Sequence, residues 1–285
     1  MPAHHLRFAV NCSILFTELP LLERPAAAKA AGFDAVEFWW PFAAAVPKVS
    51  ELTAFIAAIR DAGVYLAGLN FFAGDMAGGD RGVVSWPARS AEFRDNVDVV
   101  AEIAAATGCR SFNALYGNRI AYLDRGVQEE TAVANLTFAA TAMARIGGTV
   151  LVEAVSGPHP YPLRTAADVV SVLDRVQSER AVRNLAFLAD LYHLTVNGDD
   201  VAKVLAEHAE RIGHVQIADV PGRHEPGTGD MALDGHLSQL EQAGYQGWVG
   251  LEYVPSGTSG LSFEWLPRDR RAASPEPDPT REGIL

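Results

Sequence analysis

Short runs of β-branched and aliphatic residues alternate along this chain with longer stretches whose apolar positions recur every three to four residues. The short runs fall at 6–12, 35–38, 65–70, 111–115, 149–153, 184–190, 214–218 and 248–252. Period-two alternation bounded by turn residues predicts strands there. The intervening stretches, 26–31, 49–62, 90–107, 128–146, 165–177, 200–211 and 233–243, predict helices. Several end on glycine, at Gly32, Gly63, Gly108, Gly147 and Gly244, where a left-handed cap is expected. Strict alternation implies parallel strands joined by helical crossovers, and eight such units favour closure into a single (β/α)8 TIM barrel, an α/β fold. An open doubly wound sheet would carry a glycine-rich phosphate loop after its first strand, and the segment NCSILFTELP contains no glycine.

Two connections break the regular rhythm. Residues 71–88, with AGDMAGGDRG, follow the third strand, and residues 221–232, PGRHEPGTGDMA, follow the seventh. Both lie after strands, on the side where barrel active sites form, and their length and glycine content suit lids or ligand-binding segments. Residues 1–265 are expected to form the barrel domain, and residues 266–285, rich in proline and charge, a flexible C-terminal tail.

A length of 285 residues suits one such domain, and 49% hydrophobic with 20% charged residues suits a globular protein with ample core. No apolar run reaches the roughly 18 residues needed to span a bilayer, and the start lacks the features of a secretory signal, so no membrane partner and a cytoplasmic location are expected. Cys12 and Cys109 both fall in segments expected to be buried, which favours free thiols over a disulfide. A net charge of −12 opposes a large phosphate-binding surface. Small molecules rather than nucleic acid are the expected partners.

The chemistry lies at the strand ends. Four consecutive strands in the second half end on metal-capable side chains: Glu153, Asp190, Gln216 and Glu252. Carboxyl ends of parallel barrel strands meet at one rim, so these groups converge although they are far apart in sequence. Alternation sharpens this. His214 and Gln216 face one way and Val215 and Ile217 the other, into the helix layer, while Ala186, Leu188 and Asp190 share the inward face. Carboxylates packed at one rim repel unless a cation or protons compensate them. Three carboxylates and one amide oxygen form a hard donor set, which predicts one divalent metal ion, Mg2+ or Mn2+ rather than zinc.

The stretches VEFWWP, NFFAGDMAGGDRG, EFRDNV, LADLYH, GHVQIADVPGRHEPGTGD and GWVGLEY closely resemble the hydroxypyruvate isomerases of the xylose-isomerase-like barrel superfamily. The likeness runs from about Phe8 to Trp265. It implies that Glu153 and Glu252 are both metal ligands and catalytic acid/base groups, that Asp190 and Gln216 complete the coordination, and that His193 and Arg223 touch the substrate. Gln216 stands where related ketose epimerases have His. One departure is clear: the family usually continues its first catalytic glutamate as Glu-Pro-x-Asn, and here the run is Glu153-Ala154-Val155-Ser156.

The implied activity is aldose-ketose isomerisation of hydroxypyruvate and 2-hydroxy-3-oxopropanoate, a hydroxy-oxo acid pair, by proton transfer through an enediolate. Arg223 suits a bidentate clamp on the substrate carboxylate, or an ion pair with Glu225 or Asp230 that orders its loop. His193 suits a substrate hydrogen bond, or a helix-start position bonded to backbone. Asn70 and Arg81 follow the third strand and are further substrate-binding candidates. Glu37 ends the second strand and is expected to orient an Arg or His, and His214 to be buried and hydrogen-bonded. Trp39, Trp40 and Phe71 suit an apolar wall or a subunit contact, which leaves room for a homo-oligomer. Three other readings are an isomerase or epimerase of a longer sugar acid such as 2-oxo-tetronate, a phosphodiester-cleaving barrel of the endonuclease IV type, and a non-catalytic sugar-acid binding protein. The endonuclease would need a histidine-rich zinc cluster and a basic groove, and the eight histidines here are scattered.

Overall fold

Eight parallel strands close into one barrel in the computed structural model, which describes residues 4–272. The strands are β1 (Arg7–Asn11), β2 (Ala35–Phe38), β3 (Tyr65–Asn70), β4 (Ser111–Asn113), β5 (Thr149–Glu153), β6 (Leu185–Asp190), β7 (Ile212–Ile217) and β8 (Trp248–Leu251), and β8 pairs back onto β1. Around them run α1 (Arg24–Ala30), α2 (Val49–Ala62), α3 (Ser90–Thr107), α4 (Arg125–Ala144), α5 (Ala166–Arg180), α6 (Leu191–Asn197), α7 (Val201–His208) and α8 (Leu233–Gln242). The expected fold is therefore the observed one. Gly63 and Gly108 cap α2 and α3 in the left-handed conformation, at φ 63° and 81°, where a side chain would be strained.

The two faces of each strand do different work. Outward residues such as Val150, Val152, Phe187, Val215, Ile217 and Val249 are buried in one core with Phe55, Val100, Leu136 and Leu173 of the helices. Inside, Ala9, Ala35 and Ala67 pack as a small layer against Trp248. Above them the interior turns polar. All eight strand ends supply a buried polar side chain: Asn11, Glu37, Asn70, Asn113, Glu153, Asp190, Gln216 and Glu252, none more than 6% exposed. A ring of this kind is costly to desolvate unless its members bond one another or a ligand.

Gly250 makes that ring possible. It lies opposite Gln216 in β7, and a Cβ built on it would stand 2.4 Å from Glu37 Oε1. Overfilling at such a site typically costs about 1–3 kcal/mol. Gly250→Ala is accordingly expected to destabilise the fold by that amount, read as a lower midpoint in urea unfolding; an unchanged midpoint would mean the Glu37 carboxylate has space to move.

Some boundaries differ from expectation for local reasons. β8 ends at Leu251, although Glu252 still donates its backbone N–H to Ile217 O at 3.2 Å, so its position at the rim is kept. Helix α6, directly after Asp190, is not among the helices that periodicity predicts, since seven residues are too few for a helical repeat to register, but His193 does take the helix-start position considered for it. Cys12 and Cys109 are buried free thiols, as expected. Among the described residues no helix is long and apolar enough to cross a membrane.

Leu266 is buried, and Arg271 donates to the carbonyls of Ala31, Phe263 and Leu266, tying residues 266–272 to the C-terminal end of α1. The remainder of the expected flexible tail, 273–285, lies outside the described residues.

Candidate active site

Above the polar ring lies a cavity of about 440 Å³, and Glu153, Glu252, His193, Arg223, Asn70 and Arg81 all line it, with Trp39, Ser156 and His159. The candidates at the ends of β3, β5, β6, β7 and β8 are thus gathered on one rim. Asp190 and Gln216 sit just beneath, paired in register across β6 and β7.

Each glutamate is held by an amide from another strand. Asn113 Nδ2 donates to Glu153 Oε1 at 2.7 Å, leaving the second oxygen uncommitted. Asn11 Nδ2 donates to Glu252 Oε2 at 2.8 Å, and Arg223 Nη2 donates to Glu252 Oε1 at 2.6 Å. Burial raises the Glu153 pKa to about 8 against the opposing Asn113 hydrogen bond, with repulsion from Asp190 adding to the rise. Glu252 is also raised by burial, and Arg223 partly offsets that. Burial thus favours the protonated form of both glutamates, and one guanidinium offsets this at Glu252.

Asp190 does two jobs with its two oxygens. Oδ1 caps α6, accepting from the backbone N–H groups of Tyr192 at 2.9 Å and His193 at 3.2 Å. Oδ2 is buried without a hydrogen bond; His193 Nε2 at 3.6 Å and Arg223 Nη2 at 3.7 Å are both too far. Gln216 Oε1 is likewise buried and unpartnered, while its Nε2 donates to Glu37 Oε1 at 2.7 Å. Two orphaned acceptor oxygens on adjacent strands, beside two glutamates, are what an oxygen-binding divalent cation requires. The residues present therefore fit such an ion, with Glu153, Asp190, Gln216 and Glu252 able to hold it.

His193 also comes within this group: one ligand atom each from Glu153, Asp190 and His193 lie within 4.8 Å of one another. Its hydrogen bonds assign it another part. The backbone N–H of Ser156 donates to His193 Nδ1 at 3.1 Å, and the Ser156 hydroxyl lies 2.7 Å from the same nitrogen. Nδ1 must therefore accept, and burial lowers the His193 pKa to about 4, so the neutral ring carries its proton on Nε2. A protonated Nε2 donates hydrogen bonds; it does not ligate a metal. Ser156, at the position where the family pattern has Asn, thereby fixes the tautomer of a cavity histidine.

The loop after β7 delivers Arg223. Asp219 gathers it by accepting from the backbone N–H groups of Val220, Gly227 and Met231, and Arg223 itself adopts φ 60° with its carbonyl accepting from Val254 N at 2.7 Å. Its guanidinium lies 5.3 Å over the Tyr192 ring. The ion pair considered with Glu225 does not form: Glu225 accepts from the backbone and hydroxyl of Ser256, and Arg223 turns to Glu252. Arg81 reaches the cavity but spends one Nη on the carbonyls of Met76 and Asp80. Trp39 lines the cavity wall, whereas Phe71 is wholly buried against Phe93 and Phe112.

Glu37 orients a histidine, as expected: His214 Nε2 lies 2.6 Å from Glu37 Oε2, and both are buried. Sequence reasoning overlooked Asn11 and Asn113, and noted Ser156 without giving it a role. The two asparagines end β1 and β4, as the noted acids end later strands, so the same inward alternation identifies them.

Comparison with known proteins agrees with this architecture. A xylose isomerase-like TIM barrel family matches residues 25–284. A Streptomyces coelicolor protein that carries a provisional name as a hydroxypyruvate isomerase is 53% identical over 272 residues, covering 94% of this chain and 98% of its own. A 2-oxo-tetronate isomerase of Cupriavidus necator is 36% identical, over 91% of this chain and 97% of its own. A Brucella melitensis crystal structure titled as an AP endonuclease of family 2 superposes with a TM-score of 0.82 at 36% identity, covering 93% of this chain and 98% of that one. With a closed eight-stranded barrel and similarity spanning nearly the full length of these proteins, the chain belongs to the xylose isomerase-like TIM barrel family.

Proposed function

We propose that this chain is an isomerase that interconverts hydroxypyruvate and 2-hydroxy-3-oxopropanoate by proton transfer through an enediolate. The observation that carries this reading is the pair of buried glutamates, each steadied by an amide, facing one cavity beside two unpartnered oxygens. The names of the relatives at 53% and 36% identity point to the same class of reaction on short hydroxy-oxo acids.

The isomerisation removes a proton from the carbon beside a carbonyl and returns one to the neighbouring carbon. Glu153 has one oxygen free and is made more basic by burial, which suits it to take or give that proton. Both oxygens of Glu252 are engaged, one by Arg223. A substrate carboxylate can offer Arg223 two acceptor oxygens in place of its single bond to Glu252 Oε1, so substrate binding frees Glu252 for the second proton transfer. His193 donates from Nε2 to a substrate oxygen, an orientation held by Ser156. A divalent cation held by Glu153, Asp190, Gln216 and Glu252, Mg2+ or Mn2+ by the hardness of the donors, would supply Lewis acidity that stabilises the enediolate charge.

A second reading, isomerisation of a four-carbon acid such as 2-oxo-tetronate, is favoured by one observation: a cavity of about 440 Å³ has room beyond a three-carbon acid. The endonuclease reading finds less support. The only histidine in the candidate metal cluster among the described residues is His193, and the net charge is −12. The test is a two-substrate panel in deuterated water. Faster turnover of hydroxypyruvate, with deuterium at the carbon that receives the proton, is the expected outcome. Faster turnover of 2-oxo-tetronate would transfer the assignment to the longer acid, and product without deuterium would count against exchangeable proton transfer.

A further inference from the structure

Glu37 is too deep to meet a substrate: it is 2% exposed, beneath the cavity, with its carboxylate at the centre of a hydrogen-bond cluster. Oε1 accepts from Gln216 Nε2 at 2.7 Å and from Asn11 Nδ2 at 3.0 Å, and Oε2 lies 2.6 Å from His214 Nε2. Oε1, with two amide donors on it, serves as an acceptor. Gln216 must therefore turn its NH2 toward Glu37, and its oxygen is left facing away, buried and unpartnered. A primary amide is nearly symmetric in shape, and without such a constraint it can present either end. The end matters, because an oxygen attracts a cation and an NH2 repels one.

We propose that Glu37 is a positioning residue that acts through Gln216, holding the amide oxygen of Gln216 toward the cation site. The inference rests on the reading of the rim as a cation site. It explains features that site residues alone leave unaccounted for: the cleared space at Gly250, where a Cβ would stand 2.4 Å from Glu37 Oε1, and the buried His214 that anchors the other carboxylate oxygen. Asn11 extends the same order to Glu252, since its Nδ2 donates to Glu37 and to Glu252 Oε2. A glutamine at position 37 would offer an NH2 of its own, and the Gln216 amide could then turn over.

The test is Mn2+ binding by calorimetry to metal-stripped protein, using wild type, Glu37→Gln, Glu37→Asp, Gln216→Ala and the Glu37→Gln/Gln216→Ala double variant, each checked for folding by circular dichroism. Glu37→Gln is expected to weaken Mn2+ binding by about 10- to 100-fold, the usual range for groups that orient ligands. Glu37→Asp keeps a carboxyl group but withdraws the acceptor, and is expected to weaken binding too. In the Gln216→Ala background the Glu37 substitution is expected to add little, because the group it orients is gone. Unchanged affinity in both Glu37 variants, or an equal loss with and without Gln216, would overturn the proposal. Failure of the wild type to bind Mn2+ would overturn the cation reading first. If Glu37→Gln does not fold, the Glu37→Asp/Gln216→Ala cycle carries the same test.

Discussion

Glu153→Gln and Glu252→Gln are each expected to lower kcat by about 10²- to 10⁴-fold, the contribution of a positioned general base or acid, with the fold intact. The substitutions keep shape and remove the ionisable group. In Glu153→Gln the amide oxygen can still accept from Asn113 Nδ2, which in the native chain lies 2.7 Å from Oε1. In Glu252→Gln the oxygen can still accept from Arg223, while the NH2 must face Asn11 Nδ2, now 2.8 Å from Oε2. Two donors in opposition there make Glu252→Gln the less stable of the two. Steady-state kinetics with circular dichroism as the folding control reads both effects. A sugar-acid binding protein that performs no chemistry would keep its ligand affinity in both variants and have no turnover to lose. Retention of near-native kcat in either variant would remove that glutamate from the proton-transfer role.

Removal of divalent cations is expected to have the second large effect. Glu153, Asp190 and Glu252 bring three buried carboxyl groups to one rim, and Arg223 is the cation paired with two of them, at 2.6 Å from Glu252 and 3.7 Å from Asp190. Burial raises both glutamates, which shows how unfavourable full ionisation is in that space. A cation would reverse that balance. Treatment with a chelator is therefore expected to abolish turnover, and Mg2+ or Mn2+ to restore it. Binding confined to the native state also stabilises it, by about 2.7 kcal/mol at a cation concentration 100 times Kd. Thermal unfolding with and without Mn2+ reads this independently of any substrate. Full activity after exhaustive chelation, with no shift in Tm, would place the charge compensation on Arg223 and protons alone.

Much of this site is legible in the sequence because strands obey a simple alternation and barrels have one functional rim. Asp190 and Gln216 could be aimed inward from their neighbours, and the structure pairs them in register. Glu153 and Glu252 were visible for a further reason: charged groups at strand ends demand compensation. Asn11 and Asn113 make no such demand. Neutral amides at strand ends are common and carry no repulsion to explain, so they pass unnoticed until a partner at hydrogen-bond distance gives them a role. The direction of Arg223 was open for a similar reason. Its loop offers Glu225 and Asp230 close by in sequence, and only the fold shows that Ser256 satisfies Glu225 and leaves Arg223 for Glu252. Ser156 looked like a simple departure from a family pattern, and its contact with His193, 37 residues away, is a product of the parallel pairing of β5 with β6.

The most direct test is a crystal of the protein grown with Mn2+ and measured at wavelengths where manganese scatters anomalously. One peak is expected at the rim, within about 2.0–2.3 Å of oxygens from Glu153, Asp190, Gln216 and Glu252, distances normal for small hard cations. A peak elsewhere, or none at the rim with Arg223 still bridging Glu252 and Asp190, would contradict it.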